Sequence, residues 1–221
     1  YYKYIYPQKS DMLLEKTCDL FLKNTDGQKF RSFVKKLFYN SLVVKQVIRK
    51  IEFISTILFE EYVLLNKKKN WFNVNYLEFG YGLTLLNSKQ IFSNTKELGR
   101  DILIGNSATY ENNHLDFFDK IKNFEFEDIN LICPLSYGRK EYRESIIDKG
   151  KVLFGEKFTP LTTFLKYEDY INVMLNCSIV VMNHRRQQAM GNINMMLAIG
   201  AKIYLREDNP AYKYFKRKGV F

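Results

Sequence analysis

From Asp101 onward, short apolar runs alternate with amphipathic segments of about ten residues, and this alternation restricts the fold more than any other feature of the chain. Asp101 to Gly105, Ile129 to Cys133, Lys151 to Phe154, Ser178 to Met182 and Lys202 to Leu205 read as strands. The spacing between them predicts helices over Asn113 to Asn123, Lys140 to Asp148, Tyr167 to Asn176, Ala189 to Ile199 and Ala211 to Lys218. Strands joined by helices of that length pair in parallel through right-handed crossovers. The expected class is α/β, with residues 99–221 forming a domain around a parallel sheet.

Residues 1–98 read differently. Lys29, Arg31, Lys35, Lys36, Lys45, Arg49 and Lys50 fall in one segment without an acid, interleaved with Phe30, Phe33, Leu37 and Phe38 at near-helical spacing. This predicts a basic amphipathic helix. A strand over Ile51 to Thr56 and a helix over Leu58 to Leu65 are expected next, the latter ending in Lys67, Lys68 and Lys69, which suit the negative end of a helix dipole. Residues 71–98 are interrupted by Gly80 and Gly82, with Gly99 just beyond, and read as loops connecting a first, partial domain to the second.

The charge is divided unequally: residues 1–100 carry 17 Lys/Arg and 9 Asp/Glu, residues 101–221 carry 17 and 15. An excess confined to one part suggests an anionic partner, nucleic acid or a membrane surface. At 46% hydrophobic and 26% charged the composition is globular. Three separated cysteines, Cys18, Cys133 and Cys177, form neither a disulfide framework nor a zinc-ligand spacing, which suggests a reducing compartment. No run reaches the roughly 18 apolar residues that span a bilayer, and no signal-peptide pattern opens the chain. A soluble, cytosolic protein is the expectation.

Ligands of open α/β sheets bind beyond the carboxyl ends of the strands, where helix N-termini also point. Three loops occupy such positions. Gly105, Asn106 and Ser107, followed by Glu111 to His114, could approach a ligand closely; they could equally be a turn with an Asn113 cap. Tyr137 beside Gly138 could stack on a base or sugar, or close an ordinary turn. The run from Asn183 to Asn192 is the most informative. His184, Arg185, Arg186, Gln187 and Gln188 directly follow an apolar strand and open a helix, where a dipole already favours an anion. The ligand implied is a diphosphate. Glu60 and Glu61 could supply a carboxylate base, although acids at a helix start usually serve the dipole. No Walker A run, GxSxG or HExxH is present. The absence of an Asp-x-Asp pair leaves Arg186 and the helix N-terminus to hold a leaving diphosphate without metal.

Taken in order, Ile102-Leu-Ile-Gly-Asn-Ser, Asn112-Asn-His-Leu, Pro134-Leu-Ser-Tyr-Gly, Arg186-Gln-Gln-x-x-Gly-Asn and Glu207-Asp-Asn-Pro resemble the blocks of one family. It is that of the TDP-N-acetylfucosamine:lipid II N-acetylfucosaminyltransferases, glycosyltransferase family 56. The similarity is clear from about residue 101 to 213 and thinner before it. The resemblance implies a glycosyltransferase B-type fold, with the donor held by a C-terminal Rossmann-like domain. It implies metal-independent transfer from a TDP-sugar, with no further cofactor, to an undecaprenyl-diphosphate-linked acceptor at the cytoplasmic face of the inner membrane. Family members extend further at both ends, so part of the acceptor domain is expected here. Under this reading Gly105, Asn106, Ser107 and Tyr137 line the donor pocket. Arg186, Gln187, Gln188, Gly191 and Asn192 hold the diphosphate and sugar, and His114 and His184 are candidates for acid/base work or for contact with the diphosphate. Lys35, Lys36, Lys45 and Lys50 would meet the membrane.

Two rivals predict other things. A nucleic-acid-binding module would use the basic helix but leaves residues 183–192 unexplained and carries no nucleic-acid motif. Another nucleotide-dependent enzyme, such as an epimerase or dehydrogenase, is disfavoured because no GxGxxG follows a strand.

Overall fold

Apolar runs as short as those around Ile54 and Ile102 hold their shape only when paired and covered on a face, and pairing organises both parts of this chain. A computed structural model describes residues 50–68, 74–79 and 97–220. The chain divides into two compact units, residues 1–81 and 82–221.

In the first unit, β1 (Phe53–Ile54) and β2 (Asn75–Tyr76) pair in parallel, Phe53 opposite Asn75, and α1 (Phe59–Lys68) joins them. Leu65 and Val74 are buried beside Ile54, Tyr62 and Leu64, and the Tyr62 hydroxyl donates to the Val74 carbonyl at 2.9 Å. Glu61 accepts from the Leu58 N–H at 3.3 Å, a cap formed from inside the first turn. That contact gives Glu61 a structural task. The expected strand over Ile51 to Thr56 contracts to two residues, and β2 lies in a stretch read as loop, since a two-residue strand has no period to detect. Of the basic segment, Lys50 is exposed; Lys35, Lys36 and Lys45 lie outside the described residues.

The second unit is a five-stranded parallel sheet in the order β5-β4-β3-β6-β7. Its strands are β3 (Asp101–Ile104), β4 (Leu131–Pro134), β5 (Phe158–Leu161), β6 (Cys177–Met182) and β7 (Lys202–Leu205). The helices are α2 (His114–Ile121), α3 (Lys140–Phe154), α4 (Tyr167–Leu175), α5 (Met190–Ala198) and α6 (Pro210–Arg217). The central strands are mostly apolar because both faces are covered: Leu103, Leu131, Cys133, Val180 and Met182 are all fully buried, and only Asp101 and Ser178 are polar. Ile102, Ile104, Phe118, Tyr142, Ile146 and Phe158 build the core beside β3 and β4.

One expected strand is misplaced. Lys151 to Phe154 is the last turn of α3, and the strand follows it at Phe158. Two residues conceal this in the sequence. Gly150 looks like a helix end, but the Phe158 ring packs where its Cβ would be, 2.5 Å from that position. Pro160 looks hostile to a strand, but β5 is an edge, paired only with β4, where a missing N–H is tolerated.

The topology decides where a ligand can enter. The chain builds β3, β4 and β5 outward in one direction, then returns to place β6 on the other side of β3. Strand order therefore reverses between β3 and β6, and at such a switch the flanking loops diverge and open a crevice.

Candidate functional site

The loop after β3 is organised by an asparagine. Asn112, 1% exposed, donates from Nδ2 to the Ser107 carbonyl at 3.0 Å, to Ser107 Oγ at 3.0 Å and to Thr109 Oγ1 at 2.9 Å. Its Oδ1 accepts from the Asn106 N–H at 3.1 Å. Gly105 has φ +65°, and a Cβ there would lie 2.6 Å from His114 Nε2 and 2.8 Å from Asn112 Oδ1. Glycine is thus required by the packing of its own loop. Asn113 occupies the left-handed region (φ 50°) and makes no side-chain cap; its Nδ2 donates to the Asn183 carbonyl at 3.1 Å while Asn183 Nδ2 donates to the Asn113 carbonyl at 3.0 Å. That reciprocal pair clamps the loop after β3 to the loop after β6.

The loop after β4 is stitched to the first through the backbone. The Ala108 N–H donates to the Tyr137 carbonyl at 2.7 Å, and the Arg139 N–H to the Ala108 carbonyl at 2.8 Å. Gly138, at φ +121°, lies against the Ala108 backbone with no room for a Cβ. Tyr137 is thereby held beside Asn106, whose Nδ2 donates to its hydroxyl at 2.7 Å.

The loop after β6 closes the site. Gln188 donates from Nε2 to Asn106 Oδ1 at 2.6 Å and to Ser107 Oγ at 3.3 Å, while its Oε1 is buried with no partner. Ala189, at φ 57°, leads into α5 and has no side-chain atom to cap it. The first N–H groups of a helix lack intrahelical partners, so this end is open to an anion. Gly191 lies in that first turn, exposed, with open space where a Cβ would sit. Asn192 donates to the Tyr170 hydroxyl of α4 at 2.9 Å. Arg186 Nε stands 3.9 Å from Glu111 of the first loop. Gln187 is buried.

Sequence reading selected Asn106, Ser107, Tyr137 and Gln188 from three loops, and they meet in one hydrogen-bonded group. Gly191 and Asn192 stand at the open helix end, with Arg186 in the loop leading to it. His114 and His184 do not share that surface, since both are fully buried. His114 Nδ1 lies 3.1 Å from the Tyr142 hydroxyl, and burial, followed by the proximity of His184, depresses its pKa to about 3. Burial depresses His184 to about 4, with the charge of nearby Arg186 acting in the same direction. Both imidazoles are neutral near pH 7 and both leave Nε2 buried without a partner.

Asn209 was quoted in the sequence only as part of a block. It is fully buried and donates from Nδ2 to the His184 carbonyl at 2.5 Å and the Arg186 carbonyl at 3.1 Å, while Oδ1 accepts from the Ala211 N–H at 2.8 Å and caps α6. The signal that could have found it is an asparagine directly before a proline, a helix-start pair. A cavity of about 580 Å³ opens nearby at the carboxyl ends of β6 and β7, lined by Phe117, Asn183, Tyr204 and Arg206. It holds two cations, Arg206, which binds both Asp208 oxygens at 2.9 and 3.2 Å, and Lys120, which pairs with Asp116 at 3.1 Å.

Known proteins bear on this arrangement. The apo structure of OtsA superposes with a TM-score of 0.58 at 8% identity, over 79% of this chain and 50% of that one. A UDP-forming α,α-trehalose-phosphate synthase from Burkholderia xenovorans superposes with a TM-score of 0.53 at 8% identity, over 76% of this chain and 49% of that one. The chain thus spans about half the length of each, and the shared feature is the glycosyltransferase B-type fold. The family model of the 4-alpha-L-fucosyltransferases, glycosyl transferase group 56, matches residues 32–220, and this chain belongs to that family.

Proposed function

We propose that the chain binds a TDP-sugar and transfers its N-acetylated deoxyhexose, such as 4-acetamido-4,6-dideoxygalactose, to an undecaprenyl-diphosphate-linked saccharide during cell-surface polysaccharide synthesis. Residues 99–221 are the donor domain and residues 1–98 part of the acceptor side, working at the cytoplasmic face of the inner membrane.

One observation carries the reading. At the point where strand order reverses, side chains from three loops converge beside an open helix end, and one of them, Gln188, holds a buried acceptor without a partner. A buried polar group left unsatisfied costs about 1–3 kcal/mol, a cost that a donating group of a bound ligand removes. In transfer, an acceptor hydroxyl oxygen bonds to the anomeric carbon and releases its proton to water, while the bond between the anomeric carbon and the diphosphate oxygen breaks with its electron pair moving onto the diphosphate. In this reading the first turn of α5 and the Arg186 guanidinium take up that developing charge. Among the described residues, no three His, Cys, Asp or Glu side chains gather as a metal site. His114 and His184, buried and neutral, hold loops in this reading and move no proton.

Mass spectrometry of nucleotides retained by the protein, followed by transfer from the TDP-sugar to a short-chain polyprenyl-diphosphate saccharide with and without EDTA, tests the proposal. Retention of a nucleotide sugar and EDTA-resistant transfer are expected. Absence of any nucleotide affinity would overturn it.

A further inference from the structure

We infer that Phe164, together with Tyr137, forms the seat for the nucleobase of the donor; this rests on the donor-site reading above and adds to it a residue that no sequence block marks. Phe164 lies three residues beyond β5, in the loop that leads to α4. It is 77% exposed, the most exposed phenylalanine among the described residues of the second unit. Its ring stacks on that of Tyr137, with 12° between the planes and 6.1 Å between centroids. Both rings of the pair are exposed, Phe164 more than Tyr137.

The Tyr137 end is attached to the site. Its hydroxyl accepts from Asn106, and Asn106 in turn accepts from Gln188. A continuous line therefore runs from the loop after β6, beside the open end of α5, through β3 and β4, to an aromatic platform beyond β5. A nucleoside diphosphate has the same order of parts: an anion, a polar sugar and a flat ring. With the diphosphate at α5, the base falls toward the aromatic end, where stacking needs a planar partner and no hydrogen-bond register. An exposed phenylalanine on a loop contributes nothing to the core of this fold: it belongs to none of the buried clusters.

The test uses the full chain and two probes, TDP and inorganic pyrophosphate, titrated by calorimetry against wild type, Phe164→Ala and Phe164→Trp. Phe164→Ala should weaken TDP roughly 5- to 100-fold and leave pyrophosphate within about 2-fold. Phe164→Trp should restore TDP affinity or exceed it. Because the side chain is exposed, the melting temperature of both variants should match wild type. If Phe164→Ala binds TDP as wild type does, the base lies elsewhere and this inference fails while the donor site stands. If wild type binds neither probe, the donor site itself is misassigned and the inference falls with it.

Discussion

Gln188 and Asn106, 82 positions apart, meet at 2.6 Å across the point where strand order reverses. The bond consumes the Gln188 amide nitrogen and leaves its oxygen buried without a donor. Natural cores rarely retain such a group without a water, an ion or a ligand to satisfy it.

The first prediction follows from that imbalance. Gln188→Leu relieves one orphaned acceptor, worth about 1–3 kcal/mol, but removes two hydrogen bonds, to Asn106 Oδ1 and Ser107 Oγ, and takes from Asn106 Oδ1 its donor, a new orphan of similar cost. The ligand-free protein should therefore unfold in urea within about 1 kcal/mol of wild type, or slightly earlier. Binding of a TDP-sugar should fall at least 10-fold, by about 1.4 kcal/mol or more. A variant that loses several kcal/mol of stability would show that Gln188 serves the fold.

Asn209 carries the opposite balance, since all its polar atoms are engaged. Asn209→Ala removes the α6 cap, about 1 kcal/mol, and strips a donor from the buried His184 and Arg186 carbonyls. The sum should be about 2–4 kcal/mol in urea unfolding. Asn209→Asp separates the two roles. Aspartate caps helices as well as asparagine does, but at pH 8 it places a carboxylate where Nδ2 donated. If the cap dominates, Asp rescues; we expect it to be no better than Ala.

The fold was legible wherever one strand is mostly apolar and one helix repeats cleanly, as in β6 and α5. It was not legible at Gly150 and Pro160, whose meaning depends on a partner 8 residues away and on β5 being an edge. Neither fact is local. In the site, Asn106, Ser107 and Gln188 could be selected because they follow strands. Asn112 and Asn183 fall inside the selected loops and Asn209 inside a block, but their roles could not be read, because these lie in backbone carbonyls they reach only after the loops are folded. Phe164 carried no signal, since an aromatic after an edge strand is ordinary until its ring is seen against Tyr137.

The buried histidines give a pH prediction. Burial holds His114 near 3 and His184 near 4, below the ordinary 6.5. A histidine with a depressed folded pKa stays neutral in the fold while the unfolded chain takes up its proton. Stability is therefore complete above about 6.5 and lost as pH falls through 6.5 toward the folded values. Between pH 7.5 and 5, each should remove about 2 kcal/mol, taking 1.36 kcal/mol per pH unit. Urea unfolding at both pH values should show the fall, and His114→Gln should remove about half of it. An unchanged pH slope in that variant would mean that His114 is solvated.

Arg186 should act on charge and not on the nucleoside. A guanidinium matched to a diphosphate makes a charge-assisted bond worth about 1.5–3 kcal/mol. Arg186→Ala should weaken TDP roughly 10- to 100-fold in calorimetry and leave thymidine nearly unchanged. Equal losses for both ligands would place the diphosphate away from α5.

The last prediction concerns how a protein that acts on a lipid-linked acceptor would reach it. Among the described residues no helix is long and apolar enough to cross a membrane. The seven basic residues between Lys29 and Lys50, with no acid among them, supply an alternative. Near anionic lipid each Lys or Arg is worth about 1 kcal/mol, so seven would hold the protein to vesicles at low salt even if only half were in contact. Lys50, the one described member of the set Lys35, Lys36, Lys45 and Lys50, is exposed, as this requires. The protein should pellet with vesicles containing anionic lipid and be released as ionic strength rises, because the Debye length shrinks from about 10 Å at 0.1 M to about 3 Å at 1 M. Replacing the four lysines with Gln should abolish pelleting and move the melting temperature little. The competing account is that Phe30, Phe33, Leu37 and Phe38 pack into the first unit and the lysines are simply solvated. Both accounts allow a buried apolar stripe, so only the lysines discriminate. Undiminished pelleting of the quadruple variant would show that the membrane is met by another surface.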